Sequence, residues 1–218
     1  MHALDLRLQM LFSLTPECEC VADIGTDHGY LPLALYLEKK CRRGIACDIS
    51  APSLQKAVRH SREWGVPLDC RQGDGLLPLL PGEADCIIIA GMGGILIADI
   101  LEQGKDILQP DTTLVLQPMT AVEELRDYLK NAGFCITAED MVLQEDKLYH
   151  AFAARRGEWV EHVFSSHPLY PIYLKREIRQ ESEILQKMGG YRGAEYQKHL
   201  QRLQQMQEEE RRYGQCQQ

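Results

Sequence analysis

Up to residue 154 the chain alternates between two hydrophobic periods. Short runs rich in apolar and β-branched residues, CVADIG (20–25), GIACDI (44–49), LDCRQG (68–73), CIIIAG (86–91) and TLVLQP (113–118), finish at or beside Asp, Gly or Pro. Between them lie stretches with apolar residues at helical spacing: YLPLALYLEKK (30–40), APSLQKAVRHSREWG (51–65), GILIADILEQG (94–104) and AVEELRDYLKNAG (121–133). Most of these close on Gly or basic residues, as helix C-termini prefer. Regular alternation of strand and helix predicts a parallel sheet with helical crossovers on both faces. Two more strands, FCITAEDMVLQ (134–144) and LYHAFAAR (148–155), are joined only by the EDK turn. No crossover fits in so short a link, so the last strand must run antiparallel to its neighbour.

Beyond residue 156 the pattern changes. The segment from Tyr170 to Gly214 is rich in Gln, Glu, Lys and Arg and poor in β-formers. Leu174, Ile178, Ile184, Leu185 and Met188 form a partial helical stripe, Gly189, Gly190 and Gly193 break it, and Leu200, Leu203 and Met206 begin another. This predicts a helical hairpin. The expected organisation is an α/β domain over 1–156 and a hairpin over 157–218.

Length and composition fit that plan, since 218 residues at 44% hydrophobic content supply one core and an appendage. The opening MHALDLRLQMLFSL lacks the basic start, long apolar centre and cleavage site of an export signal, and no later apolar run reaches membrane-spanning length. A cytoplasmic protein without a membrane partner is expected. Of the eight cysteines, Cys47 and Cys86 fall inside apparent core strands, and Cys18 and Cys20 are spaced too closely for a Cys-x-x-Cys pair. Neither a disulfide framework nor a metal site is indicated. The net charge of −8 is unevenly spread: 11 of the 24 Lys and Arg but only 9 of the 32 Asp and Glu lie from Arg155 onward. An acidic front and a slightly basic back point to different tasks.

Candidate chemistry gathers at the strand ends, where open α/β sheets bind ligands. The first strand runs into Asp23-Ile-Gly25-Thr26-Asp27-His28-Gly29, with the two glycines allowing a sharp turn and close approach to a ligand. A dinucleotide site would carry Gly-x-Gly-x-x-Gly, and Asp27 faces a diphosphate with the wrong charge. A ligand bearing an ammonium or sulfonium cation fits better. Asp48 ends the second strand, where an acid grips ribose hydroxyls, and Asp74 ends the third, placed to accept from an adenine amino group while Gly73 and Gly75 leave room for the base. Taken singly, each acid reads as a cap or turn residue. Jointly they describe a cationic amino-acid nucleoside, S-adenosylmethionine. Thr26, Ile49, Leu76, Ala90 and Gly91 complete the expected cofactor wall.

The segments DIGTDHGYLP, GDGL, IIIAGMGG and LVLQPM, followed by LRDYLKNAGFCITAEDMVLQEDKLYHAF and the later HPLYPIYLKREI, together resemble the bacterial tRNA (adenine-22 N1)-methyltransferase family. The resemblance implies a Rossmann-like class I methyltransferase sheet and transfer of a methyl group from S-adenosylmethionine to adenine N1 in the D-arm region of tRNA. Many members have Asn after Gln-Pro where this chain has Met119, which turns the expected polar contact to the base toward Gln117. Where other amino-methylating enzymes hold the target with an Asn or Asp, two prolines and an aromatic, this chain has Ala90-Gly91-Met92-Gly93-Gly94. Adenine N1 attacks through an in-plane lone pair, so positioning is the main requirement, and the base becomes cationic as the methyl arrives. Asp27 is therefore expected to be catalytic, with His28 and Tyr30 shaping the site and Met92, Gly93, Gly94 and Gln117 lining the substrate side. The opposing readings are a helix cap for Asp27, a backbone hydrogen bond for His28 and a core role for Met92.

Because adenine N1 is hidden in folded tRNA, the base has to be exposed, and the hairpin has the cations to hold the RNA. Arg155, Arg156, Lys175, Arg176, Arg179, Arg192, Lys198, Arg202, Arg211 and Arg212 are candidate phosphate contacts, with Tyr191 and Tyr196 among them. A solvated helix pair with internal ion pairing is the plainer account. Two other readings stay open at this point: a small-molecule or protein methyltransferase with the hairpin as a dimerisation element, and an RNA-binding module with an inactive cofactor fold. A monomer is expected under the tRNA reading.

Overall fold

A computed structural model describes residues 4–160, 166–189 and 193–215. The chain divides into two compact units, Met1–His162 and Val163–Gln218. In the first, the elements run α1(Leu6–Leu14), β1(Cys18–Ile24), α2(Tyr30–Leu37), β2(Cys41–Asp48), α3(Ala51–Trp64), β3(Leu68–Gln72), β4(Cys86–Gly93), α4(Gly94–Gln103), β5(Thr113–Thr120), α5(Val122–Asn131), β6(Phe134–Gln144) and β7(Lys147–Arg156).

The strands form one sheet in the order β3-β2-β1-β4-β5-β7-β6. Pairing is parallel from β3 through β5, and β7 lies antiparallel to both β5 and β6. The arrangement is the one expected from the alternation of periods and the EDK turn. Its central strands are apolar on both faces because helices cover both. Ala22, Ile24, Ile87, Ile89, Leu114 and Leu116 pack with Ile97 and Leu101 of α4 and Leu125 and Leu129 of α5. The alternate residues Val21, Ile88 and Val115 pack on the other face with Met10 and Leu11 of α1 and Leu31 and Leu35 of α2.

Local chemistry sets the helix limits. Ser50 caps α3, its hydroxyl accepting from Ser53 N at 3.4 Å, and Gly65 in the left-handed region ends it. α5 carries Glu123 and Glu124 in its first turn and Lys130 in its last, matching the helix dipole. Helix α1 was not among the elements expected. Asp5 caps it by accepting from Leu8 N at 2.8 Å, and it lies on the sheet beside β6 and β7.

Two consequences position the site. All parallel strands present their C-terminal ends together, so the loops after β1, β2, β3, β4 and β5 converge there. The antiparallel β7 delivers its own C-terminus, Arg155 and Arg156, to the opposite end of the sheet, where Arg155 Nε donates to Thr113 Oγ1 at 2.7 Å and Arg156 Nη1 to Ala132 O.

The second unit holds α6(Tyr170–Lys187) and α7(Ala194–Gln215), packed on each other as the expected hairpin. Its interior is partly ionic. Buried Glu181 of α6 pairs with His199 Nδ1 at 2.8 Å and Arg202 Nη1 at 3.2 Å on α7. Arg202, expected to reach for phosphate, is thus engaged in holding the two helices together. Among the described residues no helix is long and apolar enough to cross a membrane, and no cluster of His, Cys, Asp or Glu is arranged to hold a metal ion.

Candidate active site

β1 delivers Asp23 to the converging strand ends, and the chain then turns at Gly25 with φ +77°. The Gly25 and Thr26 amides both donate to Cys47 O, at 2.8 and 3.1 Å, tying the turn to β2. Thr26 Oγ1 accepts from Gly29 N at 3.1 Å and its hydroxyl donates to the Asp23 carboxylate. Gly29, with φ +71°, starts α2 without a side-chain cap. Gly25 serves two needs at once: its φ suits glycine, and a Cβ there would collide with Met92 Cε. Met92 accordingly lies over the turn and packs against the core, as its plainer reading had it.

Above this turn is an open cleft of ≈ 150 Å³ lined by Asp23, Gly25 through Leu31, Ala90, and Arg7, Leu8 and Leu11 of α1. Asp23 keeps part of its surface open to the cleft, but burial of its carboxyl pushes the pKa from 3.8 up to about 6, against the opposing pull of Thr26 and Arg7. A carboxylate whose charge is disfavoured by burial suits an incoming cation, which would offset that cost, and is hostile to a diphosphate.

Arg7 went unrecognised in the sequence. Its Nη1 donates to Gln117 Oε1 at 3.3 Å, and its backbone N donates to Gln144 Oε1 at 3.2 Å. Gln117, expected to touch the substrate base, is fully buried instead: its Nε2 donates to Pro118 O at 3.1 Å and lies 3.3 Å from Met119 Sδ. The unforeseen α1 is the reason, because Arg7 takes the amide oxygen that the base was to meet.

Asp27 is exposed and does not cap α2. Its two carboxylate oxygens pair with Lys56 Nζ at 2.7 Å and His28 Nε2 at 2.9 Å, and Lys56 holds the carboxyl below the usual carboxylate range. His28 stacks on Tyr30 with centroids 5.1 Å apart, and Tyr30 stacks in turn on His60 at 4.6 Å and lies 6.0 Å from Trp64. His60 Nδ1 lies 2.9 Å from His28 O; a carbonyl only accepts, so Nδ1 carries the proton and Nε2 accepts from Tyr30 OH at 3.4 Å. His28 Nδ1 is buried without a hydrogen-bond partner, a polar atom at the cleft that a ligand would satisfy. Lys56, His60 and Trp64 stand four residues apart on one face of α3. That spacing was the available signal.

The other two acids lie at neighbouring strand ends. Asp48 is partly exposed at the end of β2, with Oδ1 accepting from Ser50 N at 2.6 Å, followed by exposed Ile49, while Asp74 is exposed after β3 and Leu76 is buried. A Cβ on Gly73 would collide with Pro78, and on Gly75, at φ +51°, it would lie 3.0 Å from Ile100, so packing of the chain itself also favours glycine at both positions. β4 continues through a bulge at Ala90-Gly91-Met92 to Gly93, putting Gly93 and Gly94 beside Thr120 and Ala121 at the end of β5. Arg155 is not brought to this cleft, for the topological reason given above. In the hairpin Arg176 is half-buried with Glu177 at 3.8 Å, Lys175, Arg179 and Lys198 are exposed, and Arg192 lies outside the described residues.

A family model described as "Methyltransferase domain" matches residues 4–152. The chain is 38% identical over 157 residues to the tRNA (adenine(22)-N(1))-methyltransferase of Bacillus subtilis, an alignment covering 71% of this chain and 66% of that protein, just under two thirds of its length. The crystal structure of the B. subtilis tRNA methyltransferase TrmK is similar at TM-score 0.79 and 28% identity, covering 99% of each chain. A Streptococcus pneumoniae protein solved in complex with S-adenosyl-L-methionine is similar at TM-score 0.79 and 26% identity, covering 94% of this chain and 99% of that one. With a sheet of this order, acids at three successive strand ends and a family match across more than half its length, the chain belongs to the methyltransferase domain family.

Proposed function

We propose that this protein transfers the methyl group of S-adenosylmethionine to N1 of adenine 22 in tRNA, the activity named for its B. subtilis relative. The observation that carries the reading is the buried, charge-seeking Asp23 in a cleft at the end of β1, with Asp48 at the end of the neighbouring β2 and Asp74 just after β3. Asp23 takes the cofactor's ammonium, Asp48 the ribose hydroxyls and Asp74 the adenine amino group, with the Gly25–Gly29 turn allowing close approach. The cofactor supplies a methyl group on a cationic sulfur. N1 needs no deprotonation before attack, so the protein's work is to hold the base in line and to stabilise the positive charge that develops on it.

Asp27 is the acid placed for that second task. Kept ionised by Lys56 and steadied by His28 Nε2, it offers a fixed negative charge beside the stacked His28 and Tyr30 rings. Exposed Lys175, Arg179 and Lys198 of the hairpin contribute phosphate contacts in this reading. The enzyme acts on tRNA in the cytoplasm as a monomer, without metal or membrane. Incubation with labelled S-adenosylmethionine and bulk tRNA, followed by digestion to nucleosides, tests the proposal: label should co-migrate with 1-methyladenosine. Label in protein, or in a different nucleoside, would overturn it.

A further inference from the structure

Three large apolar side chains stand in solvent at the strand ends, on the β4–β5 side of the cofactor acids. Ile95 is 59% exposed, Leu96 51% and Met119 37%. The next residue of α4, Ile97, is fully buried and roots the helix in the core. The backbone beneath them is strained. Ala121 lies at φ +53° and ψ +46° without being glycine, and a Cβ on Gly94 would collide with the Ala121 carbonyl. Left-handed conformations in other residues are uncommon and concentrate at functional sites. Here the first turn of α4 is pressed against the end of β5, with Ile95, Leu96 and Met119 exposed at the C-terminal ends of β4 and β5.

The run from Gly93 through Leu96 carries no charge, and neither does Met119. Such a patch has little to offer a phosphate, but it matches the apolar face of a nucleobase. An adenine whose N1 must reach the methyl group has to leave its stack, and proteins that unstack nucleic acid insert Leu, Ile, Met or Phe between base steps. We propose that Ile95 and Leu96, backed by Met119, form a wedge that enters the RNA stack beside the target adenine and takes its place as the base swings into the cleft. They are positioning residues, acting through the base they displace. This inference rests on the tRNA reading above.

The test uses the full chain, the Ile95→Ser/Leu96→Ser double variant, and a tRNA transcript with 2-aminopurine at position 22. With saturating parent protein, fluorescence should rise as the probe unstacks. The variant should bind the same RNA, confirmed by filter retention, while giving little of that rise. On ordinary tRNA its single-turnover methylation should be slower by about tenfold or more, with melting temperature and cofactor affinity within error of the parent. Replacing the nucleotide that stacks on the target by an abasic residue should restore most of the lost rate. An undiminished fluorescence rise with bound variant overturns the wedge, as does an equal loss on the abasic substrate. If the parent itself methylates no adenine N1, the tRNA reading fails first, and that result is read before any variant is compared.

Discussion

Asp23→Asn should make the ligand-free protein more stable while damaging cofactor binding. In the fold the carboxyl titrates at about 6, against an ordinary value of 3.8, mainly because burial disfavours its charged form. That displacement is worth about 3 kcal/mol at full effect. The sign follows from linkage: the folded chain holds the proton more tightly, so this group lowers stability as pH rises from about 4 through 6, and the whole cost is present at pH 8. Asparagine keeps the shape and an acceptor for Thr26 without the charge. With the open part of the cleft and altered contacts to Arg7 discounted, a gain of about 1–3 kcal/mol is expected at pH 8, or about 3–10 °C in Tm. It should shrink at pH 5 and vanish below pH 4. Affinity for S-adenosylmethionine should fall by about 10–100-fold, since the ammonium loses a charged partner. Melts of both proteins across pH 4–8, with calorimetric titration of cofactor at pH 8, measure both effects. A variant no more stable at pH 8 than at pH 5, relative to the parent, would refute the burial argument. Unchanged affinity would remove Asp23 from the cofactor site.

Substitutions at other positions probe separate parts of the account. Asp27→Asn should leave folding and most cofactor affinity intact yet slow methyl transfer at saturating tRNA by on the order of tenfold or more; a change confined to cofactor affinity would assign Asp27 to the methionine end of the ligand. Gly25→Ala should cost about 1–2 kcal/mol from its left-handed backbone, with Met92→Ala recovering only what the collision with Met92 adds, as chemical denaturation of single and double variants would reveal. Glu83, held down at about 2 by Arg71 at 2.6 Å and only 11% exposed, supports the fold above its ordinary pKa of 4.5 and loses that effect as pH falls toward 2. Glu83→Gln should therefore cost about 1–3 kcal/mol at pH 7, with the difference from the parent narrowing between pH 5 and pH 3; a gap independent of pH would contradict it.

The sheet and its crossovers were legible because strand and helix periods differ and each break carries Gly, Pro or a cap. The antiparallel β7 was legible from the length of the EDK turn alone. What its direction implies for Arg155 was not drawn from the sequence: an antiparallel last strand carries its C-terminal end away from the site. Helix α1 does not show in the export features of LRLQMLFSL. Asp5, three residues before Leu8, was its cap signal. With α1 went Arg7, and with Arg7 the fate of Gln117. Composition could suggest Gly73 and Gly75 for a ligand but could not reveal that Pro78 and Ile100 pack where their Cβ atoms would lie. The placing of Asp23, Asp48 and Asp74 at the ends of three neighbouring strands needed no side-chain detail. The pairing of Asp27 with Lys56 needed it, because α2 and α3 have to be packed before those charges meet.

Reverse transcription across a methylated transcript tests the central claim most directly, because a methyl group on N1 blocks the Watson–Crick edge of adenine. A tRNA transcript incubated with this protein and S-adenosylmethionine should arrest primer extension at adenine 22, and an otherwise identical transcript with guanine there should be read through. Read-through of the adenine transcript, while the same preparation methylates a protein or small molecule, would contradict the account.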